Sequence, residues 1–143
     1  MQNKSRLLTK LGIATAVALG GLTLASQPAA FAAAPGFSVS PATGLTDGAT
    51  ATVTVTGAAA GTEFSIVQCA TVNDQLACNG DTVKTVTTDA AGSADTAFVV
   101  RKTFQGATPT GASVGTVDCA ATTCFVSVGN ETAFLGSQAL TFR

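Results

Sequence analysis

The sequence predicts an all-β protein, and three observations support this fold class. Threonine, valine, glycine and serine dominate the chain after residue 33, while long helix-forming side chains are scarce. Short segments of alternating polarity recur at close intervals, as expected for half-buried strands. Four cysteines fall as two close pairs, Cys69 with Cys78 and Cys119 with Cys124, behind an export signal. Paired cysteines on an exported chain indicate a disulfide framework.

Residues 1–33 have the features of a secretory signal peptide. A segment with three basic residues precedes an uncharged apolar stretch, Leu11 to Ala25. This stretch is too short and too interrupted by glycine for a stable membrane span. Ala30-Phe31-Ala32 fits the small-x-small rule for cleavage, so we expect the mature protein to begin at Ala33 or Ala34. The sequence therefore predicts a secreted, extracellular protein that does not use a membrane as a partner.

The charge of the mature domain, residues 34–143, is predicted to be acidic. Three of the seven basic residues lie in the signal, which leaves four basic and eight acidic residues and a net charge near −4. A domain without a basic stripe lacks the phosphate contacts that supply most non-specific affinity for nucleic acid. We therefore expect a soluble monomer that does not bind DNA tightly by itself.

Eight segments of the mature domain are predicted to be strands. In ATVTVT, residues 51–56, two valines fall on one face and three threonines on the other. In residues 63–69 both faces should be in use, with Phe64 and Ile66 on one face and Ser65, Val67 and Cys69 on the opposite one. The predicted strands are 37–40, 51–56, 63–69, 83–87, 94–100, 114–118, 125–128 and 138–142.

Turn signals separate these strands, at Thr46-Asp47-Gly48, Gly57 to Gly61, Asp89 to Gly92 and Pro109 to Gly111. Seven or eight short strands without a helical period predict an antiparallel sandwich of immunoglobulin-like topology. The absence of tryptophan and the short cysteine separations exclude the antibody pattern, in which a disulfide ties the two sheets. Each disulfide instead closes a local loop, which stabilises the fold by about 2 to 3 kcal/mol.

Few residues of this chain could support catalysis. Because there is no histidine, serine–histidine and cysteine–histidine nucleophiles and histidine-based zinc sites are excluded. Asp74 and Asp81 could form an acid–base pair as in glycosidases, but a solvated turn is the more frequent place for such residues. Arg101 and Lys102 could bind an anion, although adjacent strand residues face opposite ways. We expect neither an enzyme nor a metal site.

Four segments resemble a known family. They read APGFSVSPATGLTDGATATVTVTG from Ala34, QCATVNDQLACN from Gln68, TTDAAGSADTAFVVRKTFQG from Thr87 and VGTVDCAATTC from Val114. In these segments and in both cysteine pairs, the mature chain resembles the neocarzinostatin family, the secreted apoproteins of enediyne antitumour antibiotics. The resemblance implies a seven-stranded immunoglobulin-like antiparallel β-sandwich with an additional two-stranded ribbon, and the disulfides Cys69–Cys78 and Cys119–Cys124.

The resemblance also implies a function. A protein of this family holds a labile enediyne-type chromophore non-covalently in a deep cleft, and the released chromophore, rather than the protein, cuts DNA. The expected role is that of a carrier and self-protection device for an antibacterial and antitumour chromophore, with DNA reached only through the released small molecule. A preformed and mostly apolar cavity with a few polar groups suits such a ligand.

Carried over by position, the resemblance implies a cleft built from twelve residues, which are Ser65, Val67, Cys69, Leu76, Cys78, Val83, Phe104, Ala107, Pro109, Val126, Val128 and Gly129. For Phe104 and Val126 a place in the core is an equal alternative, because apolar strand residues are mostly buried. The small residue Gly129 is expected to leave room for a polycyclic ligand against the backbone.

The chain departs from the family at the aromatic positions of the cleft. Where neocarzinostatin has a tryptophan and two phenylalanines, this chain has Thr71, Ala107 and Pro109, and it contains neither tryptophan nor tyrosine. Phe125 and Phe134 are expected near the floor or rim, where they compensate for the lost rings or fill the space. Three functions therefore remain open: a chromophore carrier, an orphan secreted immunoglobulin-like module with another polycyclic ligand or none, and a weak carboxylate hydrolase.

Overall fold

The computed structural model describes residues 34–143, and the predicted signal peptide lies outside this range. The described residues form two antiparallel sheets with almost no helix, which confirms the all-β prediction. The strands are β1 Gly36–Ser40, β2 Thr50–Thr56, β3 Glu63–Val72, β4 Gln75–Asn79, β5 Lys84–Thr87, β6 Ala94–Val99, β7 Thr103–Ala107, β8 Ser113–Asp118, β9 Cys124–Gly129 and β10 Phe134–Leu140. A short 3₁₀-helix, Gly80–Thr82, lies between β4 and β5. No helix of residues 34–143 is long and apolar enough to cross a membrane.

The two sheets differ in size, and β3 is the central strand of the larger one. The smaller sheet has the order β1-β2-β6, and the larger sheet has the order β10-β9-β3-β4-β7-β8, with β5 also paired to β3. The first part of β3, Glu63 to Ile66, pairs with β5, and its last part, Cys69 to Val72, pairs with β4. Strand β9 runs along the opposite edge of β3.

The main hydrophobic core lies between the two sheets. Side chains of β1, β2 and β6 meet those of β3, β9 and β10 there, and they include Val53, Phe64, Ile66, Phe98, Val126 and Val128. A second cluster lies along the part of the larger sheet that contains β4, β7 and β8, and its buried residues are Ala70, Ala77, Phe104, Val117, Cys119 and Cys124. Full burial of one large apolar side chain contributes about 1.5 to 3 kcal/mol, so the main core dominates the stability of the fold.

Both predicted disulfides are present, and no cysteine of the described residues is free. Cys69 and Cys78 lie directly opposite each other on β3 and β4. Cys119 and Cys124 close the loop between β8 and β9, with their Cα atoms 5.3 Å apart. The Cys69–Cys78 bond therefore ties two neighbouring strands of the larger sheet, and the Cys119–Cys124 bond closes a short loop, as the short sequence separations predict.

Gln68 is a fully buried polar side chain that connects β3 to the crossover between the sheets. Its amide Nε2 donates a hydrogen bond to the carbonyl oxygen of Arg101 over 2.7 Å, and its Oε1 accepts one from the backbone N–H of Arg101 over 2.8 Å. Arg101 lies between β6 of the smaller sheet and β7 of the larger one. The two bonds therefore fix the point at which the chain passes from one sheet to the other.

Two strands, β4 and β7, were not predicted from the sequence. Strand β4 follows a two-residue turn in which Asn73 and Asp74 have φ angles of 49° and 61°, the left-handed conformation of a type I′ hairpin turn. Strand β7 contains Gly106, where an added Cβ would lie 2.8 Å from the Cγ2 atom of Val117 and 2.9 Å from the Cβ atom of Ala77. Close packing therefore explains why residue 106 is a glycine. Because glycine is unfavourable in strands, it weakens the sequence signal for β7.

Candidate ligand-binding cleft

A cavity of about 670 Å³ lies on the outer face of the larger sheet. Its floor consists mainly of β3 and β9, whose residues pair as Ser65 with Gly129, Val67 with Ser127 and Cys69 with Phe125. Side chains alternate along a strand, so these floor residues point away from the core residues of the same strands. The cleft and the main core therefore lie on opposite faces of β3 and β9.

Three segments form the walls of this cleft. The first is β4 with the Cys69–Cys78 disulfide and Leu76, the second is the β7–β8 turn with Pro109, and the third is the β9–β10 turn. Leu76 is 41% exposed and Phe134, at the end of the third wall, is 71% exposed. Large apolar side chains that face solvent around a concave surface are typical of a binding site.

The β9–β10 turn is held in place by Asn130. The Nδ2 atom of Asn130 donates to the carbonyl oxygen of Glu63 over 2.9 Å, and its Oδ1 accepts from the backbone N–H groups of Thr132 and Ala133 over 3.0 and 2.9 Å. The backbone N–H of Asn130 also donates to the carbonyl oxygen of Ala133 over 2.8 Å. These bonds tie the turn to the first residue of β3 and hold Glu131 at the edge of the cleft.

Two serines provide polar groups in the floor. Ser127 on β9 and Ser137 on β10 lie opposite each other, and their hydroxyl oxygens are 2.6 Å apart. Both residues border the cavity. A hydroxyl pair in a mostly apolar floor offers a donor and an acceptor that could orient a ligand.

A profile of the neocarzinostatin family matches residues 37–142. The chain belongs to the neocarzinostatin family. It is similar to the antitumor antibiotic C-1027 apoprotein and to actinoxanthin, both of Streptomyces globisporus, with 51% identity over 142 residues that cover 99% of this chain and 98% of each relative. Among solved structures, macromomycin matches with a TM-score of 0.71 and 38% identity, over 77% of this chain and 100% of that one.

The cleft of this neocarzinostatin-family protein contains eight of the twelve residues expected from the resemblance. They come from β3, β4, the β7–β8 turn and β9, and they are Ser65, Val67, Cys69, Leu76, Cys78, Pro109, Val128 and Gly129. The remaining four do not border the cavity. Val83 is 47% exposed beyond the 3₁₀-helix, and Ala107 pairs with Cys78 on the neighbouring strand.

Phe104 and Val126 lie in the hydrophobic cores, which is the alternative that the sequence left open for them. Val126 is fully buried in the main core, and Phe104 is 7% exposed in the second cluster. Strand alternation explains the position of Val126, since its neighbours Phe125 and Ser127 take the cleft face of β9. Val128 borders the cleft although its side chain also belongs to the main core.

The surroundings of Gly129 differ from the expectation that this glycine leaves room for a ligand. An added Cβ at Gly129 would lie 3.0 Å from the carbonyl oxygen of Ala133 and 3.2 Å from the Cα atom of Phe134. The β9–β10 turn therefore packs directly on Gly129. A larger residue at this position would displace the turn, so it is a poor choice for filling the cleft.

Four cleft residues were missed by sequence reasoning, and they are Ser127, Asn130, Glu131 and Ser137. Ser127 could have been found from strand alternation, because it lies two residues from both Phe125 and Gly129. The position of Asn130 and Glu131 depends on the hydrogen bonds of the β9–β10 turn, for which the sequence offers no comparable signal.

The carboxylates considered for catalysis do not meet in the cleft. Asp81 borders a separate cavity of about 240 Å³, and Asp74 lies in the turn between β3 and β4. Within residues 34–143, no three side chains of histidine, cysteine, aspartate or glutamate come together as a metal site would require. The cleft therefore offers surface complementarity and a few polar contacts rather than an acid–base pair.

Proposed function

We propose that the mature protein is a secreted carrier that binds and stabilises an enediyne-type chromophore non-covalently in this cleft. The supporting observation is the cavity itself, whose volume of about 670 Å³ falls within the range of about 300 to 1,000 Å³ typical of small-molecule sites. Nine of its fourteen lining residues are apolar side chains, disulfide cysteines or glycine. The C-1027 apoprotein, named for an antitumor antibiotic, supports an antibiotic cargo.

The chemistry of the cleft suits a reactive cargo. Cys69 and Cys78 border the cavity as a disulfide, and no thiol is free within residues 34–143. A thiolate is the strongest common nucleophile among protein side chains, so its removal from the wall protects a labile ligand. The carrier acts as a monomer without catalysis, and DNA damage follows only after the small molecule leaves it.

The same proposal includes an immunoglobulin-like sandwich. Its seven strands are β1, β2 and β6 in one sheet, and β10, β9, β3 and β5 in the other. The supporting observation is that each set consists of hydrogen-bonded neighbours, with three strands facing four. Strands β7 and β8 then form the additional ribbon, which is joined to the sandwich through β4.

The substitution Ser65→Trp tests the location of the site. Ser65 is exposed in the floor, so a tryptophan there occupies part of the cavity and weakens the binding of a neutral polycyclic aromatic probe by about tenfold or more. Fluorescence titration measures this affinity, and the parent protein, which lacks tryptophan and tyrosine, does not interfere at the wavelengths of the probe.

Ser38→Trp is the matched control, because Ser38 is an exposed serine on β1 of the other sheet. It should bind the probe as the parent does. Unchanged affinity in Ser65→Trp, or an equal loss in both variants, would show that the cleft is not the binding site.

A further inference from the structure

We propose that a second cavity of this protein, about 240 Å³ in volume, binds a small zwitterion in which a carboxylate and an ammonium group are close together, as in an α-amino acid. This site is separate from the cleft and independent of the proposed chromophore. Two buried polar atoms without partners, a cationic side chain and an anionic side chain at this cavity support the proposal.

The second cavity lies beside the segment that connects β6 to β7. Residues from the end of β4, the 3₁₀-helix, the β6–β7 connection and the start of β7 border it, and they are Asn79, Asp81, Thr82, Arg101, Thr103 and Phe104. Asn79 directly follows Cys78 on β4, and Cys78 borders the cleft. Because adjacent strand residues face opposite ways, the second cavity and the cleft lie on opposite faces of β4.

Two buried polar atoms at this cavity have no hydrogen-bond partner within residues 34–143, and they are Asn79 Nδ2 and Thr82 Oγ1. The Asn79 side chain is 1% exposed. Its Oδ1 atom accepts a hydrogen bond from the backbone N–H of Asp81 over 3.0 Å, which fixes the orientation of the amide. The Nδ2 atom is therefore a donor that needs an acceptor, and the Thr82 hydroxyl is a second donor beside it.

An oxygen atom of a ligand can satisfy both donors. A buried donor that stays unpaired is destabilising, so the inner wall of the cavity favours an acceptor that reaches Asn79 and Thr82. The cavity is much larger than the roughly 10 to 15 Å³ that a single water requires, so it has room for an organic molecule. A carboxylate fits this wall because it accepts hydrogen bonds at both of its oxygens.

Arg101 supplies the positive charge for such a carboxylate. Its backbone is bonded to the Gln68 side chain, and its Nη2 atom lies 3.2 Å from the Asp47 carboxylate. Asp47 is held in turn, since its Oδ1 atom accepts a hydrogen bond from the backbone N–H of Lys102 over 2.8 Å. A guanidinium has five N–H donors, so donors remain for a ligand carboxylate beside this ion pair.

Asp81 determines why the ligand also carries an ammonium group. Its exposed carboxylate borders the same cavity, so a simple carboxylate ligand would meet a like charge there. Residues 34–143 contain eight acidic and four basic residues, which further disfavours a ligand with net negative charge. An ammonium group next to the carboxylate removes both penalties, because it pairs with Asp81 and makes the ligand neutral overall.

Glycine, acetate and methylammonium separate the two charged groups of the ligand. The side-chain NH₂ signals of Asn79 in isotope-labelled protein report binding by NMR, with sodium chloride at the same ionic strength as the blank. We expect glycine to bind with a Kd of about 1 to 10 mM, since a ligand of so few atoms makes few contacts. Acetate should bind about two- to fivefold more weakly than glycine. Methylammonium should not shift the Asn79 signals, because it offers no acceptor.

Asp81→Asn should weaken the binding of glycine and strengthen that of acetate, because the removed charge attracts one ligand and repels the other. Asp74→Asn is the matched control, since it removes the same charge from a turn outside this cavity, and asparagine tolerates the left-handed backbone found there. It should leave the preference for glycine unchanged. Thr82→Val should weaken both ligands without loss of stability, because the Thr82 hydroxyl has no partner within residues 34–143.

Asn79 shifts no larger than those of the blank with all three ligands would mean that water alone occupies the cavity, which overturns the proposal. Acetate binding as tightly as glycine, or an equal effect of Asp81→Asn and Asp74→Asn on the preference, also overturns it. Ser65→Trp should leave the affinity for glycine unchanged, because the cleft lies on the other face of β4. Failure of the glycine site therefore leaves the proposed function of the cleft intact.

Discussion

Gln68 lies between two cleft residues, Val67 and Cys69, and yet its side chain is directed into the protein. A buried amide is stable there because both of its polar atoms are bonded to the backbone of Arg101. The sequence marks residues 63–69 as a strand with two used faces, but it does not show that a glutamine is fully buried on the core face. The burial of Gln68 depends instead on the path of the chain between β6 and β7, which brings the backbone of Arg101 within hydrogen-bonding distance of the Gln68 side chain.

Gln68→Leu should lower the free energy of unfolding by about 1 to 3 kcal/mol, because it leaves the backbone N–H and carbonyl of Arg101 without partners. Urea denaturation followed by circular dichroism measures the change. Gln105→Leu is the control, since the Gln105 side chain is exposed on β7 and its one hydrogen bond is to the Thr116 hydroxyl. Equal and small effects of both substitutions would mean that the Arg101 bonds contribute little to stability.

The cleft residues of β9 show what a sequence pattern leaves undetermined. Phe125 and Val126 are adjacent and both apolar, so composition does not show which of them faces the core. The pairing of β9 with β3 decides it, because Cys69 lies opposite Phe125 on the cleft face. Eight strands could be predicted from alternation and turn residues, whereas the assignment of faces required the partner strand.

The boundaries of some elements also depended on contacts. Strand β10 was predicted to begin at residue 138, but it begins at Phe134, because an irregularity at Gly136, whose φ is 125°, interrupts the alternation. Strand β4 has five residues and lies between β3 and β7, with which it pairs. Elements of this kind carry weak local signals, since their stability comes from neighbouring strands.

The two disulfides are predicted to differ in their effect on ligand binding. Replacing Cys69 and Cys78 with alanine should lower the free energy of unfolding by about 2 to 3 kcal/mol and also weaken binding, because this disulfide borders the cleft. Replacing Cys119 and Cys124 should lower stability by about the same amount and leave the affinity unchanged. Thermal unfolding and probe titration on both double variants measure the two quantities. Loss of affinity in the second variant alone would contradict the arrangement described here.

The charge of the whole domain predicts its behaviour towards DNA. Residues 34–143 contain eight acidic and only four basic residues, and one of the basic residues, Arg101, is paired with Asp47. We therefore expect ligand-free protein to show neither tight binding nor cleavage of duplex DNA at physiological salt. Gel-shift assays measure the binding and plasmid-nicking assays measure the cleavage. The organic extract of the native protein is the positive control for cleavage. Cleavage by thoroughly extracted protein would instead indicate an activity of the polypeptide.

The Cys69–Cys78 bond has a consequence beyond stability. It joins residues that face each other across β3 and β4, and side chains along β3 alternate between the core and the cleft. A slip of one residue would exchange the two faces, bringing Phe64 and Ile66 to the cleft and Ser65 and Val67 into the core. A covalent link at this pair permits one alignment of the two strands. Oxidation during folding therefore selects the surface that a ligand later meets.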